Sequence, residues 1–322
     1  MTFVEEVTTP EWLAQATAWI DSSLQRIGMP RTGLPEQPRV RPWSTQLIVP
    51  VADGRVWFKA NCSDLRHEAA LHAELAGLVP DEIDAPIAAD AAHGWLLTRD
   101  RGPTMTGDAD PTLEQWCAVV EVAADLQRRL VRHTETMLAT GLPDCRPDTI
   151  LARFDHQLDR LSALPHGHPA HLGTDLRARL LGHRPTIERA VEVLRAGPFP
   201  GTLNHGDLHP GNFFDTPDGL RLFDFGDAQW ASAPETLVQV WAWLRHSGLP
   251  YERAFAVYAE AWSDLASPAE LDEAFAAVME TLPVNRSLTW SLALADATVE
   301  EQGEWADGPL FYLEKLLEPW RD

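Results

Sequence analysis

Lysine is almost missing from this chain. There are two, Lys59 and Lys315, although Lys and Arg together number 26, so arginine holds nearly every basic position. A lysine kept inside a strand-like stretch, Arg55-Val56-Trp57-Phe58-Lys59-Ala60, therefore asks for a chemical reason. A compact ammonium fits between phosphate oxygens where the broad guanidinium fork often does not. Lys315 lies in a helical pattern and reads as surface. Cysteine is scarce as well: Cys62, Cys117 and Cys145 are scattered without metal or redox spacing, which predicts reduced, unpaired thiols. No run of eighteen apolar residues occurs, so no membrane span is expected. The first residues, MTFVEEVTTPEWLAQ, lack a signal pattern, and a cytoplasmic protein is the expectation. Positive charge is in deficit. The net charge of −22 excludes nucleic acid as a partner, since that demands a basic stripe. It describes a solvated acidic surface, and one that would steer a cationic small molecule.

What is present suffices for a large core. The chain has 322 residues, 45% apolar and 23% charged, as in an ordinary globular protein. No internal repeat or low-complexity segment is evident. Residues 10–27 repeat Trp12, Ala16, Ile20 and Leu24 on one helical face. A Pro/Gly/Arg-rich linker follows from Gly28 to Pro42. Gln46–Ala52 and Arg55–Ala60 flank an Asp53-Gly54 turn and predict a hairpin. Ser63 or Asp64 can cap a helix to Leu78, with Glu68 bordering its buried face. Ile87–Ala89 and Trp95–Thr98 read as two more strands. Asp100-Arg101-Gly102-Pro103 breaks the pattern. Beyond it the chain is mostly helical: Asp110 caps a helix running to about Thr140, another spans 148–164, and one or two fall between Thr174 and Ala196 with Pro185 interrupting. Further helices are predicted at 234–246, 251–264, 268–281, 286–303 and 309–318. His166, His168 and His171, in HGHPAHLG, read as a polar loop rather than a metal site.

Most chemistry concentrates between His205 and Asp227, HGDLHPGNFFDTPDGLRLFDFGD. Asp207 and Asn212 stand on one short loop and Asp224 on another. Phe213-Phe214, a Thr216-Pro217-Asp218-Gly219 turn and Leu220–Phe223 predict an antiparallel hairpin joining them. Carboxylate and amide oxygens of this kind suit Mg²⁺ accompanied by nucleotide phosphates. An acid left to position an attacking hydroxyl completes the parts that phosphoryl transfer needs.

With these residues the sequence resembles the aminoglycoside phosphotransferase and choline kinase family, over roughly residues 40–245. His205-Gly206-Asp207 with Asn212 is similar to that family's catalytic loop, Asp224-Phe225-Gly226 to its second metal motif, Lys59 to its nucleotide lysine, and Glu68 to the helix glutamate paired with it. The resemblance implies an α+β, bilobal, protein-kinase-like fold with a small strand-rich N-terminal lobe and a larger, mostly helical C-terminal lobe. The expected division is 1–39 (helix and linker), 40–100 (nucleotide-binding lobe) and 101–322 (helical lobe with the acceptor site). It implies that Asp207 orients or deprotonates the acceptor hydroxyl, that Asn212 and Asp224 hold Mg²⁺, and that Lys59, fixed by Glu68, grips the phosphates of ATP, with GTP as an option. The backbone around Thr98 to Arg101, Arg99 included, would meet adenine. The family pattern is departed from at the phosphate loop, where Arg41-Pro42-Trp43-Ser44-Thr45-Gln46 has no glycine; Ser44 and Thr45 are the donors expected there instead.

Ala233-Pro234-Glu235 spells the motif that closes a protein kinase's activation segment. Only six residues separate it from Gly226, too few for a peptide platform, so a small-molecule acceptor is expected. Glu235, Glu260, Asp264, Glu300, Glu301, Glu304 and Asp307 are acidic candidates to meet an amine on it. The reading is an ATP-dependent kinase for an aminoglycoside, amino sugar or similar acceptor. The alternatives are a kinase for a neutral sugar, choline-like amino alcohol or other antibiotic, and a non-catalytic nucleotide-binding regulator. A monomer or simple homodimer is expected.

Overall fold

A computed structural model of the chain describes residues 1–107 and 109–318; Asp108 and residues 319–322, which belong to the expected helical lobe, lie outside the described residues. The chain divides into two compact units. The first comprises Met1–Pro103, Phe214–Gly226 and Leu292–Gly303, and the second Thr104–Phe213, Asp227–Ser291 and Glu304–Asp322.

In the first unit, α1 (Phe3–Val7) and α2 (Pro10–Arg26) precede a five-stranded antiparallel sheet. Thr9 caps α2, its hydroxyl accepting from Trp12 N at 3.1 Å, with Pro10 at the first helical position. The strands are β1 (Glu36–Val40), β2 (Ser44–Val51) and β3 (Gly54–Asn61), then, after α3 (His67–Leu78), β4 (Ala88–Asp90) and β5 (Trp95–Arg99). Their spatial order is β1-β2-β3-β5-β4. The supposed linker thus contains a strand, β1, that the Pro and Arg content of Glu36-Gln37-Pro38-Arg39-Val40 concealed. It is an edge strand with a register irregularity between Glu36 and Arg39, where proline is tolerated. The strand period of two decides what each face carries. Val56, Phe58 and Ala60 of β3 are buried against Trp12, Ala16, Ile20 and Leu24 of α2, and Trp12, Trp19, Phe58 and Trp95 pack edge to face with centroids 5.7–6.4 Å apart. Lys59, one residue out of phase, is thereby directed to the other face.

In the second unit, α4 (Leu113–Leu130) starts two residues later than Asp110 suggested. Thr112 caps it through a reciprocal box in which its hydroxyl accepts from Gln115 N and the Gln115 side chain accepts from Thr112 N, satisfying two groups at once. The helix does not run on to Thr140; a 3₁₀ turn at Val131–His133 separates it from α5 (Thr134–Ala139). Then come α6 (Pro147–Ser162), α7 (Thr174–Ala196) and β6 (Gly201–Asn204). The hairpin β7 (Phe213–Thr216) and β8 (Gly219–Leu222), which from Phe214 onward belongs to the first unit, turns at Pro217-Asp218, and Gly219 has φ +115°, a conformation disfavoured for other residues. β9 (Gln229–Ser232) returns antiparallel to β6 and leads through a 3₁₀ turn at Ala233–Glu235 into α8 (Thr236–His246), followed by α9 (Glu252–Ala261), α10 (Pro268–Ala293), α11 (Val299–Gln302), which belongs to the first unit, and α12 (Gly308–Glu314).

Two predicted breaks do not occur: α7 continues through Pro185 and α10 through Pro283. An internal proline costs a helix about 3 kcal/mol. Here the turns on both sides are held by packing, Leu180 and Ile187 in α7 and Leu282 and Val284 in α10 all being buried. Ser287 and Ser291 of α10 additionally accept from the Gln157 side chain, each at 2.9 Å. Cys62, Cys117 and Cys145 are free and buried. His166 packs its ring on His171, whose Nδ1 is 2.8 Å from Leu164 O, and His168 Nδ1 accepts from Ala170 N at 3.0 Å, so these histidines organise their own loop. Among the described residues no helix is long and apolar enough to cross a membrane.

Candidate active site

The lysine singled out by its rarity lies opposite Gln46 and Leu96 in the middle of the sheet. Its Nζ donates to Glu68 Oε1 at 2.9 Å and Oε2 at 2.7 Å and to Asp224 Oδ1 at 2.7 Å. Glu68 is in the first turn of α3 and only 1% exposed. Burial pulls the Lys59 pKa down, but Asp224 and Glu68 together raise it further, so it ends above its ordinary value and the ammonium stays charged. Glu68 also accepts from the backbone N–H of Phe225 at 3.1 Å and from Asn61 Nδ2 at 2.5 Å. Asp224 has φ +67°, the one non-glycine residue with positive φ among those described. Such a conformation is held only where the surroundings over-determine it, and here the buried Phe225 and its N–H to Glu68 do so. A Cβ at Gly226 would lie 3.4 Å from Glu68 Oε2 and 3.6 Å from Lys59 Nζ. Three of the predicted residues, Lys59, Glu68 and Asp224, therefore meet in the first unit.

Ser44 and Thr45 do not act as expected. Both are buried in β2, opposite Asn61 and Ala60 of β3. The Thr45 hydroxyl donates to Arg39 O at 2.9 Å and accepts from Gln37 Nε2 at 2.8 Å, and Ser44 Oγ is enclosed without a hydrogen-bond partner among the described residues. Strand pairing and burial consume the groups that were to reach phosphate. Arg99 is the last residue of β5, exposed and opposite Val56. Beside it, Asp100 accepts from Arg55 Nε at 2.6 Å, Trp57 Nε1 at 3.3 Å and Gly102 N at 3.1 Å.

Asp207 and Asn212 meet in the second unit, on the loop between β6 and β7. Asn212 Nδ2 donates to the Asp207 carbonyl at 2.8 Å, which fixes the orientation of the amide. His205 Nδ1 accepts from Asp207 N at 3.3 Å and His209 Nε2 stands 3.4 Å from Asp207 Oδ2. Burial raises the Asp207 pKa, but His209, His205 and Arg286 lower it more, to about 2. The carboxylate is therefore ionised at neutral pH and a weak base.

Two residues that composition and spacing did not reveal hold this loop. Gln239 of α8 donates to Asp207 Oδ1 at 3.0 Å. Arg286 of α10 donates to Gly206 O and Asp227 Oδ2, both at 3.1 Å. Burial lowers the Arg286 pKa, yet Asp227, Tyr312 and Asp207 together raise it above its usual value. Gln239 is a polar residue inside an apolar run, Leu237-Val238-Gln239-Val240, and that was the available signal for it; Arg286, between Asn285 and Ser287, carried none. β6 itself is set by Gln127 of α4, whose Nε2 donates to Leu203 O at 3.1 Å and Ala233 O at 3.0 Å.

The acidic candidates for an amine are reduced by the structure. Glu235 is buried, accepting from Asn285 Nδ2 at 3.0 Å and from Gln229. Asp264 is engaged by Arg128 at 2.6 Å, and Glu301, in the first unit, accepts from Thr2 Oγ1 at 2.7 Å. Burial pushes the Glu235 carboxyl from its ordinary 4.5 up to about 7. Between these values the folded protein keeps a proton that the unfolded chain has released, so stability should fall as pH rises from about 4.5 to about 7. A shift of this size corresponds to about 3 kcal/mol. Urea unfolding of Glu235→Gln, which is neutral throughout, should lack this part of the slope; an unchanged pH dependence would place the effect elsewhere.

Among the described residues no three His, Cys, Asp or Glu side chains cluster to hold a metal by themselves.

The sheet with its lysine–glutamate pair and the helical unit with its Asp–Asn loop define a protein-kinase-like α+β fold. Solved structures similar to the chain include small-molecule phosphotransferases and kinases. The chain is similar to the macrolide 2'-phosphotransferase of Brachybacterium faecium (15% identity, TM-score 0.56, 96% of this chain and 100% of that one). It is similar to an ethanolamine kinase of Plasmodium vivax (10%, TM-score 0.64, 97% and 90%) and to aminoglycoside 2'-phosphotransferase-IIIa in its GDP complex (15%, TM-score 0.53, 93% and 97%). No family model and no curated protein sequence matches the chain.

Proposed function

We propose that this protein is a nucleotide-dependent small-molecule kinase that moves the γ-phosphoryl group of ATP or GTP to a hydroxyl of an amine-bearing acceptor such as an aminoglycoside or amino sugar. The observation that carries the reading is the pairing of a charged, mostly buried Lys59 with Glu68 and Asp224 in one unit and an ionised Asp207 bonded to Asn212 in the other. In this reading Lys59 would take the β- and γ-phosphate charge, and Asp224 and Asn212 would hold Mg²⁺, which would supply charge neutralisation of the phosphates. Asp207, too weak a base to strip an alcohol beforehand, orients the hydroxyl and accepts its proton as the bond to phosphorus forms. The rate gain is then mostly positioning and electrostatics. An amine on the acceptor is supported by the net charge of −22, and GTP as an alternative donor by the GDP complex of a structural neighbour.

The test is release of ADP or GDP across a panel of aminoglycosides, amino sugars, amino alcohols, neutral sugars and macrolides, with Mg²⁺ and with EDTA. Release that rises with an amine-bearing acceptor and stops with EDTA is expected. Stimulation by neutral acceptors alone would remove the amine from the reading, and nucleotide binding without turnover on any of them would favour a regulator. Asp224→Ala should abolish the Mg²⁺ dependence of nucleotide binding; an unchanged Mg²⁺-nucleotide affinity would sink its assignment.

A further inference from the structure

We propose that Asn61 is a positioning residue that holds Glu68, and through it Lys59, in the nucleotide-binding arrangement. The inference rests on the reading of Lys59 as the phosphate lysine. Glu68 is a charge in the interior, and such a charge is tolerated only when its oxygens are well supplied with donors. Lys59 reaches both oxygens, but the same ammonium also donates to Asp224 at 2.7 Å. Once Lys59 turns toward phosphate, its hold on Glu68 weakens. Two neutral donors then remain: Phe225 N on Oε1 at 3.1 Å and Asn61 Nδ2 on Oε2 at 2.5 Å.

The placement of Asn61 follows from the strand. Residues two apart on β3 share a face, so Asn61 lies on the same side as Lys59. Its Nδ2 also donates to Leu65 O at 3.2 Å, in the turn that leads into α3. One amide thus ties the strand bearing Lys59 both to the carboxylate of Glu68 and to the start of the helix that carries it. Being uncharged, it secures the carboxylate without competing with Lys59 for it. Asn61 is itself 7% exposed, and its substitution leaves a buried acceptor short of a donor.

The experiment is the dissociation constant of Mg²⁺-ATP and of Mg²⁺-GTP, by calorimetry on the full chain, with the thermal midpoint measured on the same samples. The proteins are wild type, Lys59→Ala, Asn61→Ala, Asn61→Asp and the Lys59→Ala/Asn61→Ala double variant. Asn61→Ala should weaken binding about 10-fold or more, the ordinary worth of a hydrogen bond to a charged group. Asn61→Asp, of equal size but with a second carboxylate facing Glu68, should weaken it at least as much, and it serves if the alanine variant does not fold. The double variant should bind no more weakly than Lys59→Ala alone. A lower thermal midpoint with wild-type affinity would show Asn61 to be a turn residue only and overturn the proposal, as would additive losses in the double variant. If Lys59→Ala itself bound nucleotide like wild type, the role of Lys59 would fall and this inference with it; a weak Lys59→Ala beside a normal Asn61→Ala would remove the inference alone.

Discussion

Asp207→Asn should reduce phosphoryl transfer by about 10²- to 10⁴-fold, the range associated with loss of a positioned acid–base group, while Mg²⁺-nucleotide affinity stays near that of the wild type. The amide keeps the size of the carboxylate, so the loop should persist: the backbone bond from Asn212 Nδ2 to the residue 207 carbonyl and that from residue 207 N to His205 Nδ1 do not involve the side chain. What is lost is an ionised acceptor. With its pKa held at about 2 by His209, His205 and Arg286 against the opposing effect of burial, wild-type Asp207 is charged throughout the working range and, in the proposed function, would present an oxygen to the acceptor hydroxyl. Single-turnover measurement separates the outcomes. A variant that binds nucleotide normally and transfers phosphate at more than a tenth of the wild-type rate would displace Asp207 from the chemistry.

Gly206→Ala is the second large effect expected, and its cause is steric. Gly206 has φ +78°, which costs an alanine roughly 1–2 kcal/mol. A Cβ there would stand 2.0 Å from the Asp227 carbonyl oxygen and 2.7 Å from its carbon, so the backbone must part. Parting it also disturbs Arg286, which donates to both Gly206 O and Asp227 Oδ2. A total loss above about 3 kcal/mol follows from left-handed strain, backbone clash and a disturbed buried cation together. Urea unfolding should show a lower midpoint, and turnover should fall with it because Asp207 is the next residue. A variant with unchanged midpoint and activity would mean that the close approach of the two loops is not obligatory.

The two substitutions differ in how far the sequence anticipated them. Asp207, Asn212, Asp224, Lys59 and Glu68 were legible because each is a chemically demanding type at a fixed distance from a turn or helix start, and the scarcity of lysine made Lys59 stand out. The hairpin was legible from Pro217-Asp218-Gly219. The clash that makes Gly206 irreplaceable was not, since it depends on Asp227, twenty-one residues further along. Pro185, and the gap expected between 281 and 286 where Pro283 lies, misled for the same reason. A local rule ends a helix at proline, but Leu180, Ile187, Leu282 and Val284 are buried by distant partners that carry the helix through. Ser44 and Thr45 failed because their suitability was judged by side-chain type, whereas β1, hidden in a supposed linker, covers Thr45 with Gln37 and Arg39.

By itself the sequence determined the alternation that buries Val56, Phe58 and Ala60 and turns Lys59 to the opposite face, the hairpin, and the residue types able to handle phosphate and metal. These are matters of period, turn geometry and functional-group chemistry over a few residues. Only the tertiary structure decided which polar side chains hold those groups in place: Asn61 on Glu68, Gln239 on Asp207, and Arg286 on Gly206 and Asp227. Apart from Asn61, they come from helices far along the chain, and a hydrogen bond of about 3 Å across such separations leaves no periodic trace in the order of residues.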